Sequence, residues 1–288
     1  MSERSASRLH SRVAWRRGLR NAGSHTLLVA SSVVVGLPFL WMITTALKGS
    51  KEVYIFPPIW VPKVLRWDNF VTAWESAPFA RFYLNSGIIA VSGVVLEVLI
   101  AALTAYAFAR IEFPAREALF MIILAAMMIP GQLALIPNYV TLKQLGWINT
   151  YQGIVIPHVS SVFGAFFLRQ AFLGISAELF DAAKIDGAGH LRALLSVALP
   201  IARPVLATLT LYLFIAKWNA YLWPLIVTNT QNMRPLPIGL FMLRHAEYQI
   251  GPEHLMAASL FVLAPVLVVF FLAQKQLIDS IASGAIKG

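Results

Sequence analysis

Hydrophobic residues are gathered into six long runs that are separated by more polar segments. A helix that crosses a bilayer needs about 20 consecutive apolar residues, because it rises about 1.5 Å per residue through a hydrocarbon core of about 30 Å. The runs that approach this length are 27–47, 85–108, 118–137, 153–173, 205–227 and 255–274. A helix also satisfies its own backbone hydrogen bonds, which lipid cannot do. The pattern therefore predicts an all-α membrane protein with six transmembrane helices.

The composition agrees with a membrane protein and argues against several other classes of protein. Of the 288 residues, 58% are hydrophobic and 12% are charged, whereas about 25% of the residues in a soluble domain are charged. The chain contains no cysteine, which excludes disulfides and thiolate metal sites. The formal net charge of +10 would favour nucleic acid in a soluble protein, but here it points first to lipid headgroups and topology.

The N-terminal segment is basic and decides the predicted orientation. Six arginines precede the first apolar run, namely Arg4, Arg8, Arg12, Arg16, Arg17 and Arg20. A signal peptide has a similar order, but this apolar run is longer than a signal core and no small-residue cleavage site follows it. We therefore expect an uncleaved first helix. Because Lys and Arg concentrate on the cytoplasmic side of membrane proteins, both termini are predicted to be cytoplasmic.

This topology predicts three segments. Residues 1–26 form a basic cytoplasmic N-terminus, residues 27–274 form the six-helix transmembrane domain, and residues 275–288 form a cytoplasmic tail. Several prolines lie within or beside the predicted spans and should kink or loosen the helices, because proline lacks a backbone donor. They are Pro38, Pro130, Pro157, Pro224 and Pro265.

The inner loop 174–203 has the pattern of two short helices joined by a tight turn. Glu178 lies near the start of the first helix, where the helix dipole favours a carboxylate. Gly187 and Gly189 supply backbone freedom for the turn. A hairpin with apolar edges on the cytosolic face packs on its own subunit, lies on lipid, or binds a partner protein. The pattern alone leaves these alternatives open.

Three stretches carry motifs that can be compared with known families. The first is Asp181-Ala182-Ala183-Lys184-Ile185-Asp186-Gly187, followed by Leu199-Pro200. The second is Lys217-Trp218-Asn219-Ala220-Tyr221-Leu222-Trp223-Pro224, and the third is Ser-Gly-Ala-Ile-Lys-Gly at 283–288. They resemble the E-A-A-x-x-x-G…L-P loop, the W-N-x-[FY]-x-W-P stretch and the G-A-x-K-G ending of ABC importer permeases of the carbohydrate branch, which contains the maltose G-type subunit. Asp181 stands where that family has glutamate, which keeps the carboxylate on a shorter arm.

The resemblance implies the type I permease fold of ABC importers, with the inner loop as a cytoplasmic coupling helix seated in a cleft of an ATPase. The residues that it assigns to ATPase coupling are Glu178, Asp181, Ala182, Ala183, Asp186, Gly187, Leu199, Pro200 and Lys287. It also implies a second permease subunit, two ABC ATPase subunits and an extracytoplasmic solute-binding protein in a bacterial inner membrane. The implied cargo is a sugar or oligosaccharide. We expect no nucleic acid among the binding partners.

The sequence lacks a phosphate-binding loop of the form G-x-x-x-x-G-K-[ST]. We therefore expect no cofactor in this chain, with ATP and Mg bound by the partner ATPase subunits. No group of His, Asp and Glu has metal-ligand spacing, and no nucleophile–base set is recognisable. These observations predict a non-catalytic permease subunit rather than an enzyme.

Two charged residues lie near the middle of predicted spans. Glu97 lies in the second span and Lys217 in the fifth, where a charge costs about 2.5–3.5 kcal/mol on insertion scales. They either pair as a structural element or line the solute pathway, and the sequence leaves both open. Indole, amide and phenol groups suit sugars, so the predicted pathway residues are Glu97, Lys217, Trp218, Asn219 and Tyr221. His158, near the outer end of the fourth span, is expected to be a packed residue rather than a ligand.

Three other functions stay open at this stage. A permease of the same superfamily could import glycerol phosphate or another polar solute, with Arg81, Arg234 or Arg244 binding the anion. A proton-coupled secondary transporter could use Glu97, but it would leave the hairpin 178–200 without a role. A scaffold membrane protein is the third alternative.

Overall fold

The computed structural model describes the backbone of residues 3–243 and 250–285 and the side chains of residues 23–243 and 250–275. Every regular element in these residues is helical, which confirms the predicted all-α class. The helices are α1 Glu3–Ala46, α2 Ser50–Val53, α3 Asp68–Glu75, α4 Phe79–Arg110, α5 Arg116–Ala125, α6 Leu135–Gln144, α7 Tyr151–Val155, α8 Val162–Leu173, α9 Ala177–Ile185, α10 His190–Ala193, α11 Leu199–Ile201, α12 Arg203–Trp218, α13 Leu222–Val227, α14 Leu236–Met242 and α15 Pro252–Ala285. Short 3-10 turns lie at Ala126–Met128, Gly131–Ala134, Ile156–His158 and Gln231–Met233, and a π-helical turn lies at Leu194–Ala198.

The candidate membrane spans are of two kinds. Unbroken helices that are long and apolar enough to cross a membrane are Gly23–Ala46, Phe79–Arg110 and Pro252–Lys275. Bent pairs are Arg116–Met128 with Gly131–Gln144 at 86°, Tyr151–His158 with Val162–Leu173 at 49°, and His190–Ile201 with Arg203–Trp218 at 85°. The described residues therefore contain three candidate spans, or six when each bent pair is one span.

The first two of these breaks, together with a further one between α12 and α13, correct the predicted runs 118–137, 153–173 and 205–227, since the sequence predicts one continuous helix for each. Pro130 lies at the first break and Pro157 just before the second, where a missing backbone donor ends the helix. The third run breaks at residues 219–221, between α12 and α13.

The other prolines within the predicted spans leave their helices unbroken. Pro38 lies inside α1 and Pro265 inside α15. Pro224 lies in the first turn of α13, where the missing N–H has no intrahelical partner to lose. The expected kink therefore occurs beside only some of these residues.

The chain splits into two compact units. The first unit is Met1–Ala73 with Gly251–Leu260, and the second unit is Trp74–Ile250 with Phe261–Gly288. Within the first unit, the most apolar stretch of Gly23–Ala46 contains no buried residue. Its apolar surface is thus left for lipid or for another chain.

The first unit is held together where α1 ends. The side-chain amide of Asn69 donates to the carbonyl oxygens of Ala46 and Lys48, each at 2.8 Å. The Lys48 ammonium lies 3.8 Å from the ring centroid of Trp41. Burial lowers the pKa of the Lys48 ammonium, while the nearby Glu52 carboxylate acts in the opposite direction. These contacts fix the chain direction after the first span.

Within the second unit, α4 is the helix on which the main core is built. Buried alanines of α4, including Ala101 and Ala105, pack in one cluster with Leu168 of α8 and Leu209 of α12. Small residues allow close approach of the helices. A Cβ added at Gly164 would lie 3.1 Å from the Ala101 side chain, which shows how closely α8 approaches α4.

Candidate functional site

A cavity of about 480 Å³ lies in the second unit, against the middle of α4. Its wall contains Gly93 and Glu97 of α4 together with two residues from each of two helix breaks, 160–161 and 220–221. Non-helical backbone at membrane depth is tolerated where it is buried in protein or lines a water-filled cavity. The two breaks meeting at one cavity therefore mark it as the candidate solute site.

Glu97 and Lys217 form an ion pair on the wall of this cavity. The Lys217 Nζ lies 2.6 Å from Glu97 Oε2, and the two side chains are only 15% and 8% exposed. The same ammonium donates to the carbonyl oxygen of His158 at 2.9 Å. That carbonyl lies at the end of the 3-10 turn before a helix break, so Lys217 satisfies an acceptor that the broken helix leaves without its usual partner. Glu97 and Lys217 are thus paired with each other and also line the cavity, and their role in a solute pathway stays a prediction.

Gly93 makes room for the lysine. A Cβ at this position would lie 2.5 Å from Cδ and 2.9 Å from Cε of Lys217. These distances are shorter than ordinary van der Waals contact. The stem of Lys217 therefore crosses α4 where α4 has no side chain.

Aromatic rings and hydroxyl groups complete the cavity wall. The rings of His158 and Trp223 meet edge to face with centroids 5.1 Å apart, and the indole N–H of Trp223 donates to the carbonyl oxygen of Gly153 at 3.2 Å. Tyr212 also lines the cavity and lies 5.1 Å from the ring of Phe163. Rings of this kind offer apolar faces and a few fixed polar groups, as ligand sites do.

The structure brings together some of the predicted pathway residues and separates others. Glu97, Lys217 and Tyr221 line the cavity. Trp218 and Asn219 lie outside its lining. Trp218 is buried against Phe214 with ring centroids 5.6 Å apart and donates to the carbonyl oxygen of Val262 at 3.0 Å, and the Asn219 amide donates back to the carbonyl oxygen of Ile215 at 2.9 Å. The reason is helical phase, since consecutive residues of a helix point about 100° apart.

Sequence reasoning missed several residues of the cavity wall. The helical spacing of residues along α12 could have predicted some of them. One face of α12 lines the cavity with three residues at helical spacing, namely Leu213, Ala216 and Lys217. Tyr212 lies beside this face. His158, which the sequence predicts to be a packed residue, both packs on Trp223 and lines the cavity.

The inner loop folds as the hairpin that the sequence predicts. Helix α9 ends at Ile185, Gly187 adopts a positive φ of 76°, and α10 begins at His190. A left-handed backbone favours glycine because a Cβ clashes there. A Cβ at Gly187 would meet nothing within 4 Å in this chain, so the requirement for glycine comes from the backbone angle.

One face of the hairpin is exposed and the other is anchored. No residue of α9 is buried, and Ile185 is 86% exposed. The exposed positions include Glu178, Asp181, Ala182, Asp186 and Gly187, whereas Ala183, Leu199 and Pro200 are half-buried. Leu199 packs against the core around α4 together with Phe180. The predicted coupling residues therefore divide between a free surface and an anchor, and Lys287 lies outside the described residues.

Two arginines near helix ends make partly buried contacts that sequence reasoning missed. Arg169 of α8 donates to both carboxylate oxygens of Glu117 at 2.8 Å and to the carbonyl oxygen of Phe108 at 3.1 Å. Arg110 donates to the carbonyl oxygens of Phe172 and Ile175. Arginine at the cytoplasmic end of a span is common for topological reasons, so the sequence has no signal that separates these two from the others.

Comparison with known proteins identifies the family. Residues 97–282 match the family of binding-protein-dependent transport system inner membrane components. The chain belongs to this family. It is therefore an inner membrane component of a transport system that works with a binding protein, and a transport component rather than an enzyme.

Three related permease proteins align over most of this chain. The diacetylchitobiose uptake system permease protein NgcG of Streptomyces coelicolor is 33% identical, over 92% of this chain and 88% of its own length. The arabinooligosaccharides transport system permease protein AraQ of Halalkalibacterium halodurans is 31% identical, over 87% and 91%. The sn-glycerol-3-phosphate transport system permease protein UgpE of Brucella abortus is 30% identical, over 92% and 97%.

A solved structure shares the fold. A chain of a bacterial ABC transporter that imports the acidic polysaccharide alginate matches with a TM-score of 0.81 and 24% identity, over 92% of this chain and 98% of that chain. The fold is thus that of an ABC importer permease, as the motifs imply.

Proposed function

We propose that this chain is one permease subunit of an ATP-driven importer of sugars or oligosaccharides. It forms half of the solute pathway with a second permease subunit, receives solute from an extracytoplasmic binding protein, and binds an ATPase through the hairpin 178–200. Both termini lie in the cytoplasm. The observation that carries the choice of cargo is the charge balance of the cavity.

The cavity suits a neutral solute better than an anion. Among the described residues that line it, the only carboxylate and ammonium belong to Glu97 and Lys217, and these neutralise each other. The rest of the wall consists of aliphatic side chains, aromatic rings and hydroxyl-bearing residues, among them Ser160 and Tyr221. A phosphate would need an unpaired cation, because burying an uncompensated charge is costly.

Glycerol phosphate is the second candidate, since a relative named for it aligns as fully as the sugar permeases do. Its expected anion-binding arginines do not support it. Arg81 donates to the carbonyl oxygen of Asn232 at 2.9 Å, and neither Arg81 nor Arg234 lines the cavity. Arg244 lies outside the described residues. The proton-coupled and scaffold alternatives both leave the exposed hairpin without a role, and neither accounts for membership of a binding-protein-dependent family.

The proposed cycle uses few groups of this chain. The exposed carboxylates of Glu178 and Asp181 in α9, and of Asp186 just after it, face a cleft of the ATPase. The turn at Gly187 allows the backbone of the hairpin to approach that cleft closely. When ATP binding moves the hairpin, the bent helices around the cavity change their angles, and the cavity opens to the other side of the membrane. Glu97 and Lys217 keep each other neutral while the solute passes.

Reconstitution tests the cargo. The native complex with its binding protein is placed in proteoliposomes, and uptake of radiolabelled neutral oligosaccharides and of sn-glycerol-3-phosphate is measured with and without ATP. We expect ATP-dependent uptake of a neutral carbohydrate, with no competition from glycerol phosphate. ATP-dependent uptake of glycerol phosphate alone would contradict the cargo, and uptake without any ATPase would contradict the mechanism.

A further inference from the structure

One arginine joins the hairpin to the helix that holds the cavity. Arg110 is the last residue of α4. Its Nη2 donates to the carbonyl oxygens of Phe172 and Ile175, which are among the last acceptors of α8 and of the link to α9. A cation at the C-terminal end of a helix is favoured by the free carbonyls and by the helix dipole. Arg110 therefore fixes the point at which the hairpin leaves the bundle.

The same guanidinium also holds the hairpin directly. Its Cζ lies 4.1 Å from the ring centroid of Phe180, in the middle of α9. The ring of Tyr106, one turn earlier on α4, lies 6.3 Å from Phe180 and 6.1 Å from the ring of His190 at the start of α10. Both helices of the hairpin thus contact the inner end of α4.

Helix α4 runs without a break from this contact to the cavity. Glu97 precedes Arg110 on α4 by a distance of about 20 Å at about 1.5 Å per residue. The two bent pairs that contribute to the cavity wall are interrupted at their bends, whereas the described α4 has no break. A displacement of the inner end of α4 therefore reaches Glu97 and, through the 2.6 Å ion pair, Lys217.

We propose that Arg110 is a positioning residue for transport, which clamps Phe180 and the end of α8 to α4 so that hairpin movement reaches the cavity. The inference rests on the proposed coupling role of the hairpin. Lysine should replace arginine only in part, because an ammonium can donate to carbonyl oxygens but has no planar group that stacks on a ring while one of its nitrogens donates.

The test separates transmission from binding of the ATPase. The chain has no cysteine, so a cysteine in place of Ser160, on the cavity wall, is a single reporter when the partner subunits are also cysteine-free. Its labelling rate by a water-soluble thiol reagent is measured in the assembled complex with and without a non-hydrolysable ATP analogue. The amount of ATPase that co-purifies is measured in the same preparations. The variants are Arg110→Gln, Arg110→Lys and Phe180→Leu, with Arg116→Gln, at the first residue of α5, as the control.

We expect the analogue to change the labelling rate several-fold in the parent and in the Arg116→Gln control. In Arg110→Gln and Phe180→Leu the change should be lost while the ATPase remains bound, and Arg110→Lys should restore less than half of it. A full response to the analogue in Arg110→Gln and Phe180→Leu would overturn the proposal. Loss of the bound ATPase from both variants would also overturn it, because Arg110 would then serve assembly rather than transmission.

The experiments distinguish an incorrect role for Arg110 from an incorrect coupling role for the hairpin. If Gly187→Val and Asp181→Lys leave the ATPase bound and uptake normal, the hairpin does not couple at all. If those two changes release the ATPase while the Arg110 variants keep the full response, only the role of Arg110 is wrong.

Discussion

At the scale of single residues, the charged pair inside the membrane has the clearest energetic consequence. A lone charge near mid-bilayer costs about 2.5–3.5 kcal/mol on insertion scales. Glu97 and Lys217 reduce this cost by pairing at 2.6 Å. Removing either partner leaves the other charge without compensation in a mostly apolar cavity. Removing both partners together leaves no unpaired charge in the cavity.

We therefore predict that Glu97→Gln and Lys217→Met each lower the thermal stability of the detergent-purified complex and its uptake more than the double replacement does. The non-additivity should be about 1–3 kcal/mol, as for groups in direct contact. Thermal unfolding and uptake in proteoliposomes measure it. Lys143→Met, at an exposed lysine, is the control and should have little effect. Simple addition of the two single effects would show that the pair does not act as a unit.

A second prediction compares two glycines of α4. Gly93→Ala should force the Lys217 stem away, at a cost of about 1–3 kcal/mol for overpacking. Gly87→Ala adds the same methyl group where nothing lies within 4 Å, so it should be neutral or stabilising by up to about 1 kcal/mol through helix propensity. The melting temperatures of the two variants measure the difference. Equal melting temperatures would show that the lysine moves aside without cost.

At the scale of elements, the hairpin could be predicted because its signals are local. A run of helix formers, an acidic first turn and a glycine at a fixed position together predict α9, the turn at Gly187 and α10. The second helix contains a π-helical turn at Leu194–Ala198, and no local signal predicts it. The anchored face of the hairpin also needed the structure, because Phe180 and Leu199 become distinguishable only when their partners on α4 are known.

The third prediction compares two glycines of the hairpin turn. A valine at Gly187 must adopt the positive φ of 76°, which costs on the order of 1–3 kcal/mol, whereas Gly189 has a φ of −73°. An added Cβ meets nothing within 4 Å at either position. Gly187→Val should therefore release the ATPase or uncouple its hydrolysis, and Gly189→Val should do so much less. Co-purification and the ratio of solute imported to ATP hydrolysed are the measurements.

Asp181→Lys is the companion change on the exposed face of the hairpin. It reverses the charge that the hairpin presents to the ATPase, and an unpaired charge in a buried interface commonly costs about 2–5 kcal/mol. Insertion into the membrane should not change. If Asp181→Lys and Gly187→Val both retain a stoichiometric ATPase and normal uptake, the hairpin is not the docking element.

The helix breaks show what periodicity cannot predict. Counting apolar residues finds the spans, but continuity depends on whether freed backbone groups find partners in other elements. At His158 the partner is Lys217, which is distant in sequence and cannot be paired with it from one chain alone. The same limit explains Trp218 and Asn219, whose residue types suit sugars but whose helical phase places them outside the cavity.

At the scale of the whole molecule, the orientation of the chain in the membrane follows from the distribution of charged residues rather than from the fold. The prediction that both termini are cytoplasmic rests on the basic N-terminus. A cysteine at Ser7 should resist a membrane-impermeant thiol reagent in intact cells, whereas one at Val61, which is 74% exposed in the predicted outer loop, should react. After the cells are opened, both should react. Labelling of Ser7→Cys in intact cells would reverse the orientation.

The unbroken length of α4 has a consequence for the lipid around the protein. Its 32 residues extend about 48 Å at about 1.5 Å per residue, well beyond a hydrocarbon core of about 30 Å. Such a helix adapts to bilayer thickness by tilting or by extending further into the headgroup region. Thicker acyl layers should bring α4 closer to the membrane normal and thinner ones should tilt it, which changes the height of Glu97 relative to Arg110. Transport by this protein should therefore respond to the acyl-chain length of its membrane even when every protein contact is intact.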